Sequence, residues 1–414
     1  MRSASTVAVA VLLLCGQSLH AQQQLGEGSP QPNDRPYAIP DSSGRPRATS
    51  TPWSVRFVES VMKRNPQTHR RWDYTAGVVL GAIEKVALAR RDTAMLGYVR
   101  RNMERFVKPD GSIEGYKMDE FNIDAVSQGR LLFGLAQRTT DPRWRKAADL
   151  LREQLRRQPR TAEGGFWHKQ IYPQQMWLDG LYMGEPFYAQ YAREYGEPAA
   201  FDDVARQFLL VARHTRDPRT SLMYHGWDAA HAQKWADSAT GLSPNFWGRA
   251  MGWYMVGVVE TLDYLPASHP DRAAIVQTLR DAAEGVARVQ DPVTGLWWDV
   301  LDQPNRRGNY LEGSASSMFV YALAKAARLG YIDTRYRDVA RRGLDGLLRN
   351  LVRENADGTV SLTNIVAVSG LGGQPRADGS FRSGTFEYYV GEPVVTDDYK
   401  GVGPFILAAL ELGK

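Results

Sequence analysis

One pattern of hydrophobic and polar positions recurs along the chain. In each copy a short polar or aromatic entry leads into a few small residues, and these are followed by a stretch that is almost wholly apolar. A helix that is apolar on most of its sides is buried, so each stretch predicts an interior helix. The six copies begin at Trp72, Phe121, Trp177, Phe246, Glu312 and Asp398.

Charged amphipathic segments separate these copies. They are rich in arginine and repeat their apolar positions with the helical period, which predicts helices that lie on the surface. The segments span residues 87–107, 143–157, 201–215, 270–290 and 336–353. The chain therefore alternates between buried and exposed helices.

This alternation predicts an all-α fold, an (α/α)6 barrel in which six outer helices surround six inner ones in a single domain, residues 51–414. A linear solenoid of helix pairs is the alternative. We favour the barrel because the copies start at unequal intervals, from 49 residues (72 to 121) to 86 (312 to 398), whereas solenoid repeats are usually more regular. Small residues near the inner helix starts would let six helices converge; they are Gly77, Ala125, Gly180, Gly252, Ser314 and Gly401.

The N-terminal region differs from the rest of the chain. Arg2, a short apolar run and Ala21 have the order of a secretory signal peptide, so we expect cleavage after residue 21 and a periplasmic or secreted protein. The only cysteine, Cys15, would be removed with it. Residues 22–50 are rich in Gln, Pro, Ser and Gly, which predicts a flexible tether. No later stretch has 18 unbroken apolar residues, so we expect no membrane anchor.

Composition and charge narrow the range of possible functions. The formal net charge is +5 over 414 residues, too mild for a protein built to bind nucleic acid. The chain holds 11 Trp and 19 Tyr, and eight of the Trp fall between Trp167 and Trp298. Aromatic faces of this kind stack on the apolar faces of sugar rings, so an oligosaccharide is the expected ligand. We expect a monomer or a weak homodimer.

Polar side chains at the inner helix starts should meet at one end of such a barrel. An aspartate at a helix start is most often an N-cap, which is the simpler interpretation of Asp73, Asp124 and Asp179. Asp179 is less ordinary because it lies between apolar residues, surroundings that suit a proton donor. Arg249 is hard to explain structurally, since a buried guanidinium needs a carboxylate from the protein or from a ligand.

Other candidates also have simpler interpretations. His225 could pair with Asp228, three residues further on, and Trp247 and Trp253 could be ordinary core residues. The sequence contains no glycine-rich phosphate loop, no HExxH pattern and no nucleophile elbow. We therefore expect neither a cofactor nor a metal ion.

Six motifs together resemble the unsaturated rhamnogalacturonyl hydrolases, glycoside hydrolase family 105. They occur in the family's order, and the resemblance runs from about Trp53 to the C-terminus. The motifs are GGFWHK at 164–169, MWLDGLYM at 176–183, YHGWD at 224–228, SPNFWGRAMGWY at 243–254, GSASSMFVYAL at 313–323 and DYKGVGPF at 398–405.

The resemblance implies an (α/α)6 barrel and an exo-acting hydrolase. Its substrate would be an unsaturated uronyl oligosaccharide, made when a lyase cuts rhamnogalacturonan or pectin, and its reaction the hydration of the C4=C5 enol ether without a metal. Asp179 then matches the general acid and base, and Asp124 the second carboxylate that positions and tunes it. The residues that match substrate-binding positions are Tyr74, His168, His225, Trp247, Arg249 and Trp253.

Two other functions stay open at this point. One is an unsaturated glucuronyl hydrolase on the same fold, acting on lyase products of ulvan, xanthan-like or glycosaminoglycan chains. The other is a non-catalytic oligosaccharide-binding protein, which would have no need of the acid Asp179. The sequence also departs from the expected pattern at Glu185, where we expect a small or apolar residue. Glu185 either faces the site or caps its helix or pairs with an arginine.

Overall fold

The computed structural model describes residues 50–375 and 379–414. The predicted signal peptide and, apart from residue 50, the predicted tether lie outside the described residues. In this part of the chain, no helix has both the length and the apolar character needed to cross a membrane.

The described residues form helices joined by loops with a few short strands. In chain order the helices are α1 (Trp53–Arg64), α2 (Tyr74–Arg90), α3 (Thr93–Glu104), α4 (Arg130–Arg138), α5 (Arg143–Arg157), α6 (Leu178–Tyr195), α7 (Ala200–Thr215), α8 (Gly248–Thr261), α9 (Arg272–Arg288), α10 (Gly313–Arg328), α11 (Tyr336–Asn350), α12 (Phe386–Gly391) and α13 (Tyr399–Glu411). A 3₁₀ segment, Ile123–Gly129, leads directly into α4.

Six strands form three antiparallel pairs. They are β1 (Gln175–Trp177) with β2 (Gly226–Asp228), β3 (Val352–Glu354) with β4 (Val360–Leu362), and β5 (Ile365–Val366) with β6 (Val394–Val395). All of them lie in the connections between helices.

The inner helices close into a ring. The 3₁₀ segment contacts both α2 and α6, α6 contacts α8, α8 contacts α10, α10 contacts α13, and α13 returns to α2. A solenoid would leave its two ends apart, so the solenoid alternative is wrong and the predicted (α/α)6 barrel is confirmed. Burial follows the same division, because every residue of α8 is buried, whereas α5 buries one face and exposes Arg145, Arg156 and Arg157.

The outer layer differs from the prediction in two places. Residue Arg91 has a left-handed conformation (φ 56°) that ends α2, and the Asp92 side chain caps α3 by accepting from the Met95 N–H. The outer helix predicted at residues 87–107 therefore begins later than expected, at Thr93. In addition, the sequence located only five of the six outer helices, and the sixth is α1. It packs on α13, with 4.3 Å between the ring centres of Phe57 and Phe405, so the two ends of the described chain complete the barrel.

Glycine allows the inner helices to approach one another. A Cβ on Gly77 of α2 would lie 2.4 Å from the Cβ of Gln128, and one on Gly252 of α8 would lie 2.8 Å from the Sδ of Met318. Atoms cannot pack that closely, so the small residues near the helix starts permit the ring, as the sequence predicts.

Candidate active site

The short sheet β1–β2 brings two candidate residues together at the start of α6. Trp177 pairs with Gly226 in its register, and the Leu178 N–H donates to the His225 carbonyl at 3.0 Å. Because Asp179 follows in the first turn of α6, the sheet holds its side chain beside that of His225.

Asp179, His225 and Tyr389 form a line of contacts. The Asp179 Oδ2 lies 3.1 Å from His225 Nε2, and His225 Nδ1 lies 2.8 Å from the Tyr389 hydroxyl. His225 is fully buried, whereas the Asp179 side chain keeps 14% of its surface exposed. A substrate can therefore reach the carboxylate, while the histidine behind it is held in place.

The simpler interpretations of Asp179 and His225 are wrong. Trp177 occupies the N-cap position of α6, so the Asp179 carboxylate does not cap the helix. Asp228 accepts instead from the backbone N–H groups of Ala232 and Gln233, and the side-chain partners of His225 are Asp179 and Tyr389.

Asp124 has cationic and histidine partners. Its Oδ2 lies 2.6 Å from Lys169 Nζ, and its Oδ1 lies 3.2 Å from His168 Nε2. Burial alone would raise the pKa of Asp124, but the Lys169 ammonium and His168 outweigh it and hold that pKa well below its usual range. Asp124 is thus ionised at neutral pH. Asn122 caps its 3₁₀ segment, so the cap interpretation is wrong for Asp124.

For Asp73 the cap interpretation is confirmed. Its Oδ1 accepts from both the N–H and the hydroxyl of Thr75 in the first turn of α2. The three aspartates at inner helix starts therefore differ: Asp73 caps a helix, Asp124 pairs with a cation, and Asp179 faces a histidine.

Trp177 joins the two carboxylate–histidine pairs. The His168 ring stacks on it with 4.4 Å between ring centres and 19° between planes. The His225 ring meets it edge-on, 5.7 Å away. Asp124 and Asp179 are in this way supported by histidines that pack on one aromatic ring.

Arg249 is buried next to Trp247. Its side chain is 1% exposed, its Nη1 donates to the Val366 carbonyl and the Ser314 hydroxyl, and its Cζ lies 4.8 Å from the centre of the Trp247 ring. No carboxylate of the described residues forms an ion pair with it. A buried guanidinium without such a partner is costly, so a carboxylate on a ligand would be well placed to compensate it.

Trp247 links Arg249 to the Asp179 group. Its ring lies 4.8 Å from His225 and stacks on Tyr389 at 5.7 Å, and its Nε1 donates to Asp299 at 3.0 Å. Its fully buried ring agrees with the core interpretation, yet that ring also contacts two members of the site.

Tyr74 and Trp253 occupy different surroundings. Burial raises the pKa of Tyr74 well above its usual value, Asp124 raises it further, and Arg249 lowers it, so Tyr74 lies within electrostatic reach of both. The Trp253 ring packs on Tyr182 at 4.5 Å and is 1% exposed, as the core interpretation expects. Its part in substrate binding stays a prediction.

Sequence reasoning missed three residues of this site. Lys169 directly follows His168 in the GGFWHK motif, so its position next to a candidate substrate-binding residue was an available signal. Trp177 begins one of the six copies but had no assigned role. Tyr389 lies in the short helix α12, outside the repeated pattern, and nothing in the sequence marks it.

The opposite end of the inner helices also contains charged residues and a cavity of about 320 Å³. Its central carboxylate, Glu260, binds Lys85, Arg130 and Lys325. Those charges already satisfy one another, so we place the chemistry at the Asp179 end. Within the described ranges, no three His, Cys, Asp or Glu side chains form a group able to hold a metal ion.

An α/α barrel whose inner helix starts present two carboxylates, histidines and aromatic rings has the side chains that a hydrolase acting on carbohydrate needs. The sequence model of Glycosyl Hydrolase Family 88 matches residues 53–414. The chain belongs to this family and is a glycoside hydrolase. A family 105 structure and the hydrolase YesR confirm the resemblance to the unsaturated rhamnogalacturonyl hydrolases.

A family 105 glycoside hydrolase of C. acetobutylicum shares the structure with a TM-score of 0.85 and 42% identity, covering 88% of this chain and 99% of that one. Protein Atu3128 of Agrobacterium fabrum is 41% identical over 233 residues, which are 55% of this chain and 97% of that protein. The unsaturated rhamnogalacturonyl hydrolase YesR of Bacillus subtilis is 29% identical over 278 residues, 66% of this chain and 76% of that protein.

Proposed function

We propose that the enzyme removes the terminal 4,5-unsaturated galacturonyl residue from oligosaccharides that a lyase has released from rhamnogalacturonan. The observation that carries this is the Asp179–His225–Tyr389 line beside a buried arginine that lacks an acidic partner in the described chain. The similarity to YesR, whose name states this activity, supports the same substrate class. Export by the predicted signal peptide would place the enzyme where such fragments arise.

The reaction begins with the acid form of Asp179. Its proton goes to C4, and the electrons of the C4=C5 double bond form the new C4–H bond. The ring oxygen stabilises the cation at C5, and a water molecule adds there while its proton passes to the Asp179 carboxylate. The hemiketal then breaks its bond between C5 and the ring oxygen, and C1, now a hemiacetal, releases the next sugar.

Arg249 is suited to the negative charge of the substrate. The unsaturated uronate carries a carboxylate on C5, and this group would supply the acidic partner that the guanidinium lacks. The contact would place the C4=C5 bond near Asp179, since Trp247 connects Arg249 to His225.

Asp124 and His168 are suited to supporting the acid rather than replacing it. Lys169 favours the ionised form of Asp124, so Asp179 is better suited as the proton donor. His168 binds Asp124 on one side and packs against the start of α6 on the other, where a Cβ on Gly180 would lie 3.1 Å from its Nδ1. The pair therefore positions the turn that carries Asp179.

The decisive experiment replaces Asp179 with Asn and follows the ultraviolet absorbance of the unsaturated uronate in lyase-digested rhamnogalacturonan. General acid catalysis typically contributes about 10²–10⁴-fold, so kcat should fall by at least about 10²-fold while KM changes little. Asp73→Asn is the matched control. It alters another aspartate at an inner helix start, but Asn also caps helices well, so kcat should stay within about twofold.

Each part of the proposal has its own contrary outcome. Undiminished turnover in Asp179→Asn would remove that residue from the reaction. Loss of absorbance only with unsaturated glucuronyl oligosaccharides would replace the substrate by that of the sister specificity. Binding of both substrates without any loss of absorbance by the unaltered enzyme would contradict the hydration reaction itself.

A further inference from the structure

Glu185 is a buried carboxyl group that the proposed reaction does not use. It lies in the middle of α6, its side chain is 1% exposed, and its Oε2 has no hydrogen-bond partner in the described chain. The nearby arginines bind other acids, Arg152 with Glu197 and Arg160 with Asp203. Glu185 lies in mid-helix and does not cap α6, and among the described residues it forms no ion pair, so the cap and arginine interpretations drawn from the sequence are wrong.

Glu185 and His168 both line one small cavity. It leaves about 10 Å³ for the centre of a water molecule, which is the smallest space that holds one water. His168 is 3% exposed, and its Nδ1, like the Glu185 Oε2, finds no hydrogen-bond partner among the residues described. Two buried polar atoms without protein partners at one water-sized cavity are an arrangement that a bridging water satisfies.

Gly180 keeps the His168 ring accessible from this cavity. It also lines the cavity, and a Cβ in its place would lie 3.1 Å from His168 Nδ1. A larger side chain would press on that nitrogen and occupy the space of the water. The residue after Asp179 therefore has a second role beyond letting the helices approach.

The hydrogen-bonding roles of the two groups are complementary. His168 Nε2 faces the ionised Asp124, an acceptor, so Nε2 carries a hydrogen, and in the Nε2–H tautomer Nδ1 is an acceptor. Burial raises the pKa of Glu185 well above its usual value, Asp203 raises it further, and Arg160 and Arg152 lower it less. Burial thus favours the protonated carboxyl group, whose O–H can donate to a water that in turn donates to Nδ1.

We propose that Glu185 is a positioning residue that, through one water in this cavity, gives His168 Nδ1 its hydrogen-bond partner and so reinforces the Nε2–H tautomer that faces Asp124. The groups that face this arrangement are Asp203 of α7, Arg152 of α5, Arg160 of the following loop, and Asp124 and Lys169 beside the His168 ring. The effect on catalysis rests on the proposed function, but the state of the His168 ring does not.

The test compares Glu185→Gln with Glu185→Leu by nitrogen NMR of histidine-labelled protein, with the His168 signals assigned from their loss in His168→Gln. The Gln amide can still donate to the water, so His168 should keep its Nε2–H tautomer and kcat should stay within about threefold. Leu leaves Nδ1 without a donor, so the His168 signals should shift and kcat should fall about 10-fold, with KM nearly unchanged. Asp203→Asn is the control, since Asp203 faces Glu185 but does not line the cavity, and should leave the His168 signals in place.

Identical His168 signals in the Gln and Leu variants would overturn the proposal, as would a Leu variant with full activity. Should the Leu variant fail to fold, Gly180→Ala provides an independent route, because it closes the cavity without touching Glu185. Gly180→Ala should shift the same His168 signals, and unchanged signals there would also contradict the water bridge. An enzyme inactive on unsaturated substrates would instead refute the proposed function, and the NMR comparison would still be decisive for His168.

Discussion

Tyr389 holds His225 from the side opposite to Asp179. Its hydroxyl lies 2.8 Å from His225 Nδ1, and its ring stacks on Trp247. Tyr389→Phe keeps the stacked ring and removes only the hydrogen bond. We expect kcat to fall about 3- to 10-fold with little change in thermal stability, because a buried hydrogen bond typically contributes about 0.5–1.5 kcal/mol.

The neighbouring Tyr388 is the control for this change. Its hydroxyl accepts from the Gly370 N–H, so Tyr388→Phe removes a tyrosine hydroxyl from the same helix and should leave kcat within about twofold. Equal losses in the two variants would mean that α12 acts through its packing and that the hydrogen bond to His225 has no part in catalysis.

Glu185 also makes the stability of the protein depend on pH. Burial raises its folded-state pKa above the unfolded value of about 4.3, so its contribution to stability is complete below that value and is lost as pH rises toward the folded pKa. A glutamine at this position does not titrate, so its contribution to stability is not lost as pH rises. The melting temperature of Glu185→Gln relative to the unaltered protein should therefore be higher at pH 8 than at pH 5, and a difference independent of pH would show that Glu185 is ionised when folded.

Three aspartates at the inner helix starts have roles that the sequence alone does not distinguish. Asp73, Asp124 and Asp179 all lie at the starts of inner helices. From the sequence alone, each of them could be an N-cap residue. Their actual roles depend on Thr75, on Lys169 and on His225, and two of these partners come from other parts of the chain. The motif resemblance distinguished Asp124 and Asp179 from Asp73 because it reflects those distant partners.

At the scale of one helix, α2 carries two glycines with opposite expected effects. A Cβ on Gly77 would lie 2.4 Å from Gln128, whereas one on Gly81 would have no atom within 4 Å. Gly77→Ala should destabilise the protein by about 1–3 kcal/mol through overpacking, and Gly81→Ala should stabilise it by about 0.5–1 kcal/mol because Ala favours helix. Denaturant unfolding of the two variants measures both changes; a destabilised Gly81→Ala would show that the ring cannot accept even an open methyl group.

Elements were predictable where their hydrophobic pattern was complete. The apolar stretches became α2, α6, α8, α10 and α13, because helices apolar on all sides have no alternative to burial. The second inner helix is different, since a 3₁₀ segment replaces its first turns where Asp124 meets His168 and Lys169. The role of α1 was also missed, because its place in the ring depends on contacts with the far end of the chain.

The whole barrel has two chemically different ends. At one end the inner helix starts present Asp124, Asp179 and an arginine without an acidic partner among the described residues. At the other, Glu260 of α8 accepts from Lys85 of α2, Arg130 of α4, and Tyr321 and Lys325 of α10. One carboxylate thus joins four of the six inner helices, which suits a structural role far from the reaction.

Replacing Glu260 by Gln tests this division between the two ends. The change would leave buried cations without their partner, and breaking a buried pair in this way typically costs about 3–5 kcal/mol. Burial alone would raise the pKa of Glu260, but Lys325, Lys85 and Arg130 hold it well below its usual range. The contribution of Glu260 to stability is therefore present above the unfolded pKa of about 4.3 and is lost as pH falls toward the folded pKa. The difference in the free energy of unfolding between Glu260→Gln and the unaltered protein should therefore shrink in acid.

Urea unfolding at pH 7 and pH 4 tests the predicted effect of Glu260→Gln on stability. The kinetics of the folded variant at low temperature test its effect on substrate binding. KM should be unchanged, because the proposed substrate site lies at the other end of the helices. Glu284→Gln is the control, since its surface pair with Arg288 is half-exposed and its loss should change stability by less than about 0.5 kcal/mol. A Glu260→Gln variant of full stability and raised KM would contradict the division, because the carboxylate would then serve the substrate rather than the closure of the barrel.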